Sequence, residues 1–406
     1  SDAVAVRWSK VFSRLRNKKP QAFEKVIPII GDISLPKIGI KSEDEKLLTD
    51  TVSVVFHIAA TVKYTEPLDV AMNINVNGTE RVLDLCQNIK SLKSFVHIST
   101  AYSNIDKEVI EEIVYPAPAS LSEVNKMIEN GINEIQVKKL INKHPNTYTF
   151  TKALAETLIN EKHRSTPTVI IRPTIVISSI AEPMVGWIDS WLGSTGLITM
   201  SAKGYNRVIR SKPSNVLDLI PVDFVSNLSI VAATTATKRY LVVNVLCFFY
   251  RICLLCLQTL LPVSDDLPFP FLHITSYQWV VSVITFIFQT VPGYVADTML
   301  LLCGRKQRYK ELFSKVTLVR DSLDYFSYNN WVISASKTRA LAESLSPEDK
   351  KYFPFNPKDI NWKEYIPIYC RGIRQFLLFG ANILDREIAL FKNHAFIEKM
   401  SRLCGA

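Results

Sequence analysis

Through the first half of the chain, short apolar runs alternate with longer amphipathic ones. Lys25–Ile30 (KVIPII), Ser53–Ile58 (SVVFHI), Lys93–Ser99 (KSFVHIS) and Thr168–Arg172 (TVIIR) are compact and β-branched, with charge only at their ends. That is the pattern of strands buried on both faces. Gly31-Asp32 turns the chain after the first run, and Pro173 stops the last. Between the runs, Pro67–Ile89 repeats apolar residues every three or four positions, which predicts a helix. Ser120–Lys143 and Tyr148–Lys162 also read as helices. Buried strands separated by helices imply a parallel sheet with crossover helices.

The texture changes after about residue 235. Residues 240–262 are almost wholly apolar around Arg251. Residues 279–302 are long enough to cross a bilayer, but Pro292, Gly293 and Asp297 interrupt them, so a spanning helix competes with a hairpin-like or buried packing. From Arg305 the chain reads as helical, basic and aromatic. These shifts predict a catalytic domain over 1–235, an apolar connecting, substrate or membrane-associated region over 236–288, a helical C-terminal domain over 289–380 and a tail over 381–406.

Of 406 residues 48% are hydrophobic and 21% charged, a globular composition. The mean hydropathy of +0.11 adds to the membrane reading, and the net charge is +10. From Cys303 onward there are 18 Lys/Arg against 11 Asp/Glu, an excess suited to an anionic surface or a phosphorylated ligand. No basic block interleaved with aromatics forms a nucleic-acid stripe, so nucleic acid is not an expected partner. Seven scattered cysteines argue against a disulfide framework and for a reducing compartment. Cys253 and Cys256 form a C-x-x-C, but no second pair and no nearby His completes a metal site, and no metal is expected. The first residues, SDAVAVRWSKVFSRLRNKK, read as a basic amphipathic helix rather than a signal peptide.

The sharpest chemical signal is Tyr148-Thr149-Phe150-Thr151-Lys152, a Y-x-x-x-K at a helix start. Positions four apart share a helix face. An ammonium beside a phenol favours the phenolate and lowers its pKa, and the pair can then move a proton at a carbonyl oxygen. Alone the motif is weak. About 50 residues upstream, the strand at Lys93–Ser99 runs into Ser99 and Thr100, hydroxyls at a carboxyl end, where open α/β sheets bind ligands. His57-Ile58-Ala59-Ala60 closes another strand with small residues, and Asn75-Val76-Asn77-Gly78-Thr79 opens a helical turn. Each has a plain structural alternative: Asp32 as a turn residue, His57 as a packed strand-end histidine, Asn75 as a helix cap, Ser99 and Thr100 as backbone ligands.

These motifs in this order resemble the extended short-chain dehydrogenase/reductases. The longer strings His144–Glu156, Glu182-Pro183 with Gly186–Asp189, and Leu217–Asp223 narrow the resemblance to the fatty acyl-CoA reductases. Val291–Tyr294, Asp297, Tyr325-Phe326, Trp331 and Asn356–Arg374 resemble that family's helical "sterile" domain. The resemblance implies an α/β, Rossmann-like doubly wound parallel sheet followed by a mainly helical C-terminal domain. It implies Tyr148 as proton donor, Lys152 as the residue that tunes it and holds the nicotinamide ribose, and Thr100 as the hydroxyl, with Ser99 the competing choice. It places Asp32 and Ile33 near the adenine and His57, Ala59 and Ala60 at its ribose. Asn75, Arg172 and Pro173 complete the expected cofactor region. The implied reaction is NADPH-dependent reduction of a long-chain fatty acyl-CoA to the alcohol. The implied location is an endoplasmic-reticulum or peroxisomal membrane, on the cytosolic face.

Two stretches depart from the family pattern. The family opens with a strand and a Gly-rich turn that receives the cofactor pyrophosphate. No glycine precedes Gly31, so the first strands and that turn are expected ahead of Ser1. Residues 241–275 are rich in cysteine and leucine where the family is more polar. A non-catalytic, membrane-associated paralogue or a fragment without cofactor binding is therefore one alternative. An extended dehydrogenase acting on a sterol or nucleotide sugar is another.

Overall fold

A computed structural model describes residues 12–212, 214–215, 217–235, 241–245, 248–249 and 271–378. The chain divides into two compact units, each gathered from three separate stretches. The first takes Ser1–Thr174, Phe224–Cys247 and Trp331–Pro357; the second takes Ile175–Asp223, Phe248–Asn330 and Lys358–Ala406.

The first unit is built on four parallel strands: β1 (Val54–His57), β2 (Ser94–Ile98), β3 (Thr168–Pro173) and β4 (Leu241–Val245), lying in that order. Parallel neighbours need a crossover, and helices supply it. Between β1 and β2 the chain coils through Leu68–Ala71, a widened turn Met72–Asn77 and α1 (Gly78–Gln87). Between β2 and β3 it runs through α2 (Thr147–Lys162). Val82, Leu83 and Cys86 of α1 and Ile159 of α2 close over Phe95, Ile170 and Val242 of the sheet. This is the parallel, helix-covered sheet that the sequence pattern implies.

Helix α2 is buried along Thr149–Ile159 rather than on one stripe, so its polar members need internal partners. Asn146 caps it by accepting from the Thr149 N–H. Far along the chain, Val332–Ile333 pairs in parallel with Val109–Ile110. Glu112, buried, accepts from the backbone of Lys337 and Thr338 and so caps the helix Ser336–Ser344.

The second unit pairs Ile175–Ile177 with Leu217–Pro221, and Val208–Arg210 with His273–Thr275, both in parallel. Around them lie Ser194–Ala202, α3 (Gln278–Leu302), α4 (Tyr309–Tyr328) and Trp362–Gly372.

Three local expectations give way. Residues 26–30 form no strand. Ile27 and Ile30 stand 68% and 58% exposed, and the described ladder ends at β1. An apolar run becomes a strand only when a neighbour takes up its backbone groups. Ser120–Lys143 is two helices, Leu121–Glu129 and Glu134–Ile141. Gly131 between them holds φ +77°, and Asn133 restarts the helix with a reciprocal bond to Gln136. Residues 279–302 are not interrupted. The helix widens over Phe286–Thr290, and Pro292 falls at the start of the next regular turn, where its missing N–H is tolerated. Cys253 and Cys256, with most of the apolar connecting region and the tail from 379, lie outside the described residues.

Candidate active site

The carboxyl ends of β1 and β2 face the first turns of α2. Thr100, just past β2, has extended backbone and is buried, and its Oγ1 accepts from the Tyr102 N–H at 3.3 Å. Thr100 is also the neighbour whose side chain works to lower the Tyr148 phenol's pKa, which places the two side chains close together. Lys152, one turn along α2, is 3% exposed and donates to the Ile98 carbonyl at 2.8 Å. Ile98 lies two residues before Thr100 at the end of β2, and Tyr148 lies one turn before Lys152 on α2. Hydroxyl, phenol and ammonium therefore converge at one strand end.

Ser99 and Thr100 meet different turns of α2. The Ser99 hydroxyl donates to Glu156, two turns further along the helix than Tyr148. Of the two hydroxyls, Thr100 alone stands with Tyr148.

The electrostatics differ from the sequence expectation. Tyr148 is pushed up, not down, by burial first and then by the neighbouring Tyr64, against the lowering effect of Thr100. The lysine charge does not offset this, because its ammonium turns to the Ile98 carbonyl. Tyr148 is thus a neutral phenol near neutrality, poised to donate. Lys152 is itself lowered from 10.5 to about 8, because burial penalises its charge more than Glu156 supports it. His57, 4% exposed, is lowered to about 3 by burial and then by the Lys152 charge. Its Nε2 lies 3.0 Å from the Thr79 hydroxyl, and its ring lies 5.1 Å from that of His97. Both histidines are held neutral beneath the ammonium.

Other expected residues fall into different roles. Arg172 is fully buried and ion-paired to Glu156, and it also donates to the carbonyls of Glu111 and Ile113. Its guanidinium is thus engaged inside the fold through all three of its nitrogens. Pro173 ends β3, buried. Asn75 accepts from the Thr61 N–H and donates to the Thr61 carbonyl and Thr151 hydroxyl, so it braces the loop after β1 against α2. Asp32 is exposed and accepts from the N–H and hydroxyl of Ser34, closing its own turn. Ile33 packs on α1, where a Cβ on Gly78 would stand 3.2 Å from its side chain. Ala59 is exposed and Ala60 half-buried beyond β1, next to Ile58 at 65% exposure.

Glu156 is the residue the sequence reading passed over. It gathers Ser99, Ser103 and Arg172, tying α2, the segment flanking Thr100, and β3 into one buried knot. Its signal was the spacing of Tyr148, Lys152 and Glu156, each four residues from the last on one helix face.

In the second unit, the strings Glu182–Asp189 and Asn356–Arg374 meet. Tyr365 donates to the Ser178 carbonyl, and a Cβ on Gly372 would lie 1.9 Å from the Gly186 carbonyl oxygen. Asp223 accepts from the N–H groups of Ile180, Ala181 and Glu182 and shapes the loop that starts there.

A nicotinamide cofactor fits the first site. Lys152 is a buried ammonium with three donors, one of which meets the Ile98 carbonyl, and Ile58 and Ala59 offer exposed apolar surface beyond β1.

Comparison with known proteins agrees. An NAD-binding sequence profile described as male sterility protein matches residues 3–229, and a sterile-domain profile with the same description matches 288–379. Fatty acyl-CoA reductase 1 of Xenopus laevis is 34% identical over 394 residues, which cover 91% of this chain and 75% of that protein. Fatty acyl-CoA reductase 1 of Homo sapiens is 32% identical, and fatty acyl-CoA reductase 2 of Mus musculus 33%, with the same coverage. Among solved structures, the terminal R domain from the myxalamid PKS-NRPS biosynthetic pathway matches with a TM-score of 0.57 at 15% identity. It covers 87% of this chain and 76% of that one, a likeness of Rossmann-type fold. The chain belongs to the fatty acyl-CoA reductase family of oxidoreductases.

Proposed function

We propose that this protein reduces a long-chain fatty acyl-CoA to the fatty alcohol through an aldehyde, with release of CoA and NADPH as reductant. The observation that carries the proposal is the convergence of Thr100, Tyr148 and Lys152 at one strand end. When bound, the reduced nicotinamide supplies hydride. Thr100 and Tyr148 donate hydrogen bonds to the substrate oxygen as negative charge gathers on it, a contact stronger in the transition state than in the ground state. The raised pKa of Tyr148 keeps its proton in place until an alkoxide, a stronger base, takes it. Lys152 is the residue proposed to hold the nicotinamide ribose. His57, Ala59 and Ala60 would line the adenine ribose, with Asp32 and Ile33 nearer the adenine. We place the activity on an endoplasmic-reticulum or peroxisomal membrane facing the cytosol.

The test is alcohol formation from palmitoyl-CoA and NADPH, followed by gas chromatography. Tyr148→Phe is expected to lower turnover by roughly a hundred-fold or more, the scale of a lost general acid. Unchanged turnover would discard the assignment.

A further inference from the structure

Helix α3 is turned inside out. Val281, Gln289, Gly293 and Asp297, spaced four or eight apart, face the rest of the unit and are buried. This inward stripe is largely small or polar. Gln289 donates to the Tyr205 carbonyl, Thr285 meets Arg320, and Asp297 accepts from the N–H groups of Arg308, Tyr309 and Lys310 to cap α4. The outward face is apolar: Trp279, Phe286, Ile287, Tyr294, Met299 and Leu302 stand exposed, Leu302 at 84%. Asp297 is the single charged residue between Gln278 and Leu302. Only 17% of the most apolar stretch is buried. A surface helix in water has the opposite arrangement.

Two further observations fix what covers this face. Directly after α3, Arg305, Lys306, Arg308 and Lys310 are all exposed, with Glu311 the one acid in Cys303–Phe313. That is the charge complement of anionic headgroups. Helix α4 packs along α3, with Phe313 against Gly293, yet it carries Glu311 and Lys315 in an ion pair 70% and 67% exposed. A crossing α3 would draw those charges into hydrocarbon.

We propose that α3 is an in-plane membrane anchor, seated with its outward face in the headgroup–acyl boundary of an anionic phospholipid bilayer while Arg305–Lys310 meets lipid phosphates. The inference rests on the membrane location proposed above, which it deepens, and is independent of the reductase chemistry.

The full chain is mixed with vesicles of phosphatidylcholine alone or with added phosphatidylserine and sedimented. It is expected to sediment with the mixed vesicles. Phe286→Glu or Met299→Glu, each at an exposed position, is expected to weaken this by roughly ten-fold or more with an unchanged circular-dichroism spectrum. Arg305→Glu with Lys306→Glu removes the preference for phosphatidylserine. With all seven native cysteines replaced by Ser or Ala, nitroxides at Val283→Cys, Tyr294→Cys and Leu302→Cys are expected at one shallow depth, and one at Lys315→Cys in water. The proposal is overturned by absent vesicle binding, or by a depth maximum at position 294. It is equally overturned if Met299→Glu dissolves a dimer in sedimentation velocity and leaves vesicle binding unaltered.

Discussion

Replacing Lys152 with methionine separates what this residue does for the reaction from what it does for the fold. Methionine keeps the length of the side chain and removes the charge. In the folded protein the lysine is lowered from 10.5 to about 8 by burial. Below pH 8 both folded and unfolded chains carry the charge, and the folded chain bears the full penalty of enclosing it. As pH rises from 8 towards 10.5 the folded lysine loses its proton first and the penalty fades. At 1.36 kcal/mol per pKa unit the penalty is about 3 kcal/mol near pH 7 and about 1 kcal/mol near pH 9.5. Loss of the bond to the Ile98 carbonyl costs about 1 kcal/mol in return. Lys152→Met is therefore expected to be more stable than the parent by about 2 kcal/mol at pH 7, with most of that gain gone near pH 9.5. Urea unfolding at the two pH values, followed by far-ultraviolet circular dichroism, measures the difference, and turnover on an acyl-CoA should collapse in parallel. A variant less stable at pH 7, or a gain that does not shrink with pH, refutes the view that a strained buried ammonium sits at this site.

Asp218 gives the mirror-image behaviour. Burial raises it to about 7, so the folded chain holds a proton that the unfolded chain releases above 3.8, and stability falls as pH climbs from about 4 to about 7. Asp218→Asn should flatten that decline and gain up to about 4 kcal/mol at pH 8 in thermal or urea melts. Glu156→Gln leaves the Arg172 guanidinium buried without its counter-charge and should cost about 3–5 kcal/mol, while the Glu156→Met, Arg172→Met pair should recover much of the loss in the same unfolding assay. Gly372→Ala sets a methyl against the Gly186 carbonyl, and the backbone must move to admit it. A loss of about 1–3 kcal/mol is expected by denaturant titration, and a neutral result would show that the two segments are not in contact.

The strands β2 and β3 were legible because both faces are covered, and β1, with Phe56 exposed, because a continuous β-branched run bounded by turn residues has few other readings. Tyr148, Lys152 and Thr100 were legible because a helix start and a strand end constrain which side chains converge. The choice between Ser99 and Thr100 was not, since it depends on which turn of α2 each hydroxyl meets. The sign of the Tyr148 shift was also hidden: spacing puts an ammonium one turn away, but burial and the direction of the lysine tip decide which effect wins. The buried partners of Arg172 were hidden because Glu111, Ile113 and Glu156 come from distant parts of the chain. The inward polar stripe of α3 was invisible for the same reason, since Asp297 in an apolar run reads as an interruption until the helix end that it caps is known.

The catalytic unit closes with a segment made late. Val332–Ile333, and the helix that Glu112 caps, belong to a stretch translated more than 150 residues after α2. A nascent chain that has emerged only as far as β3 lacks both pieces, so the site's scaffold stays open while the intervening unit is still being synthesised. Any split, tag insertion or circular rearrangement that separates residues 331–357 from the first 174 would take material from the reductase core itself, however remote in sequence the cut lies from Tyr148.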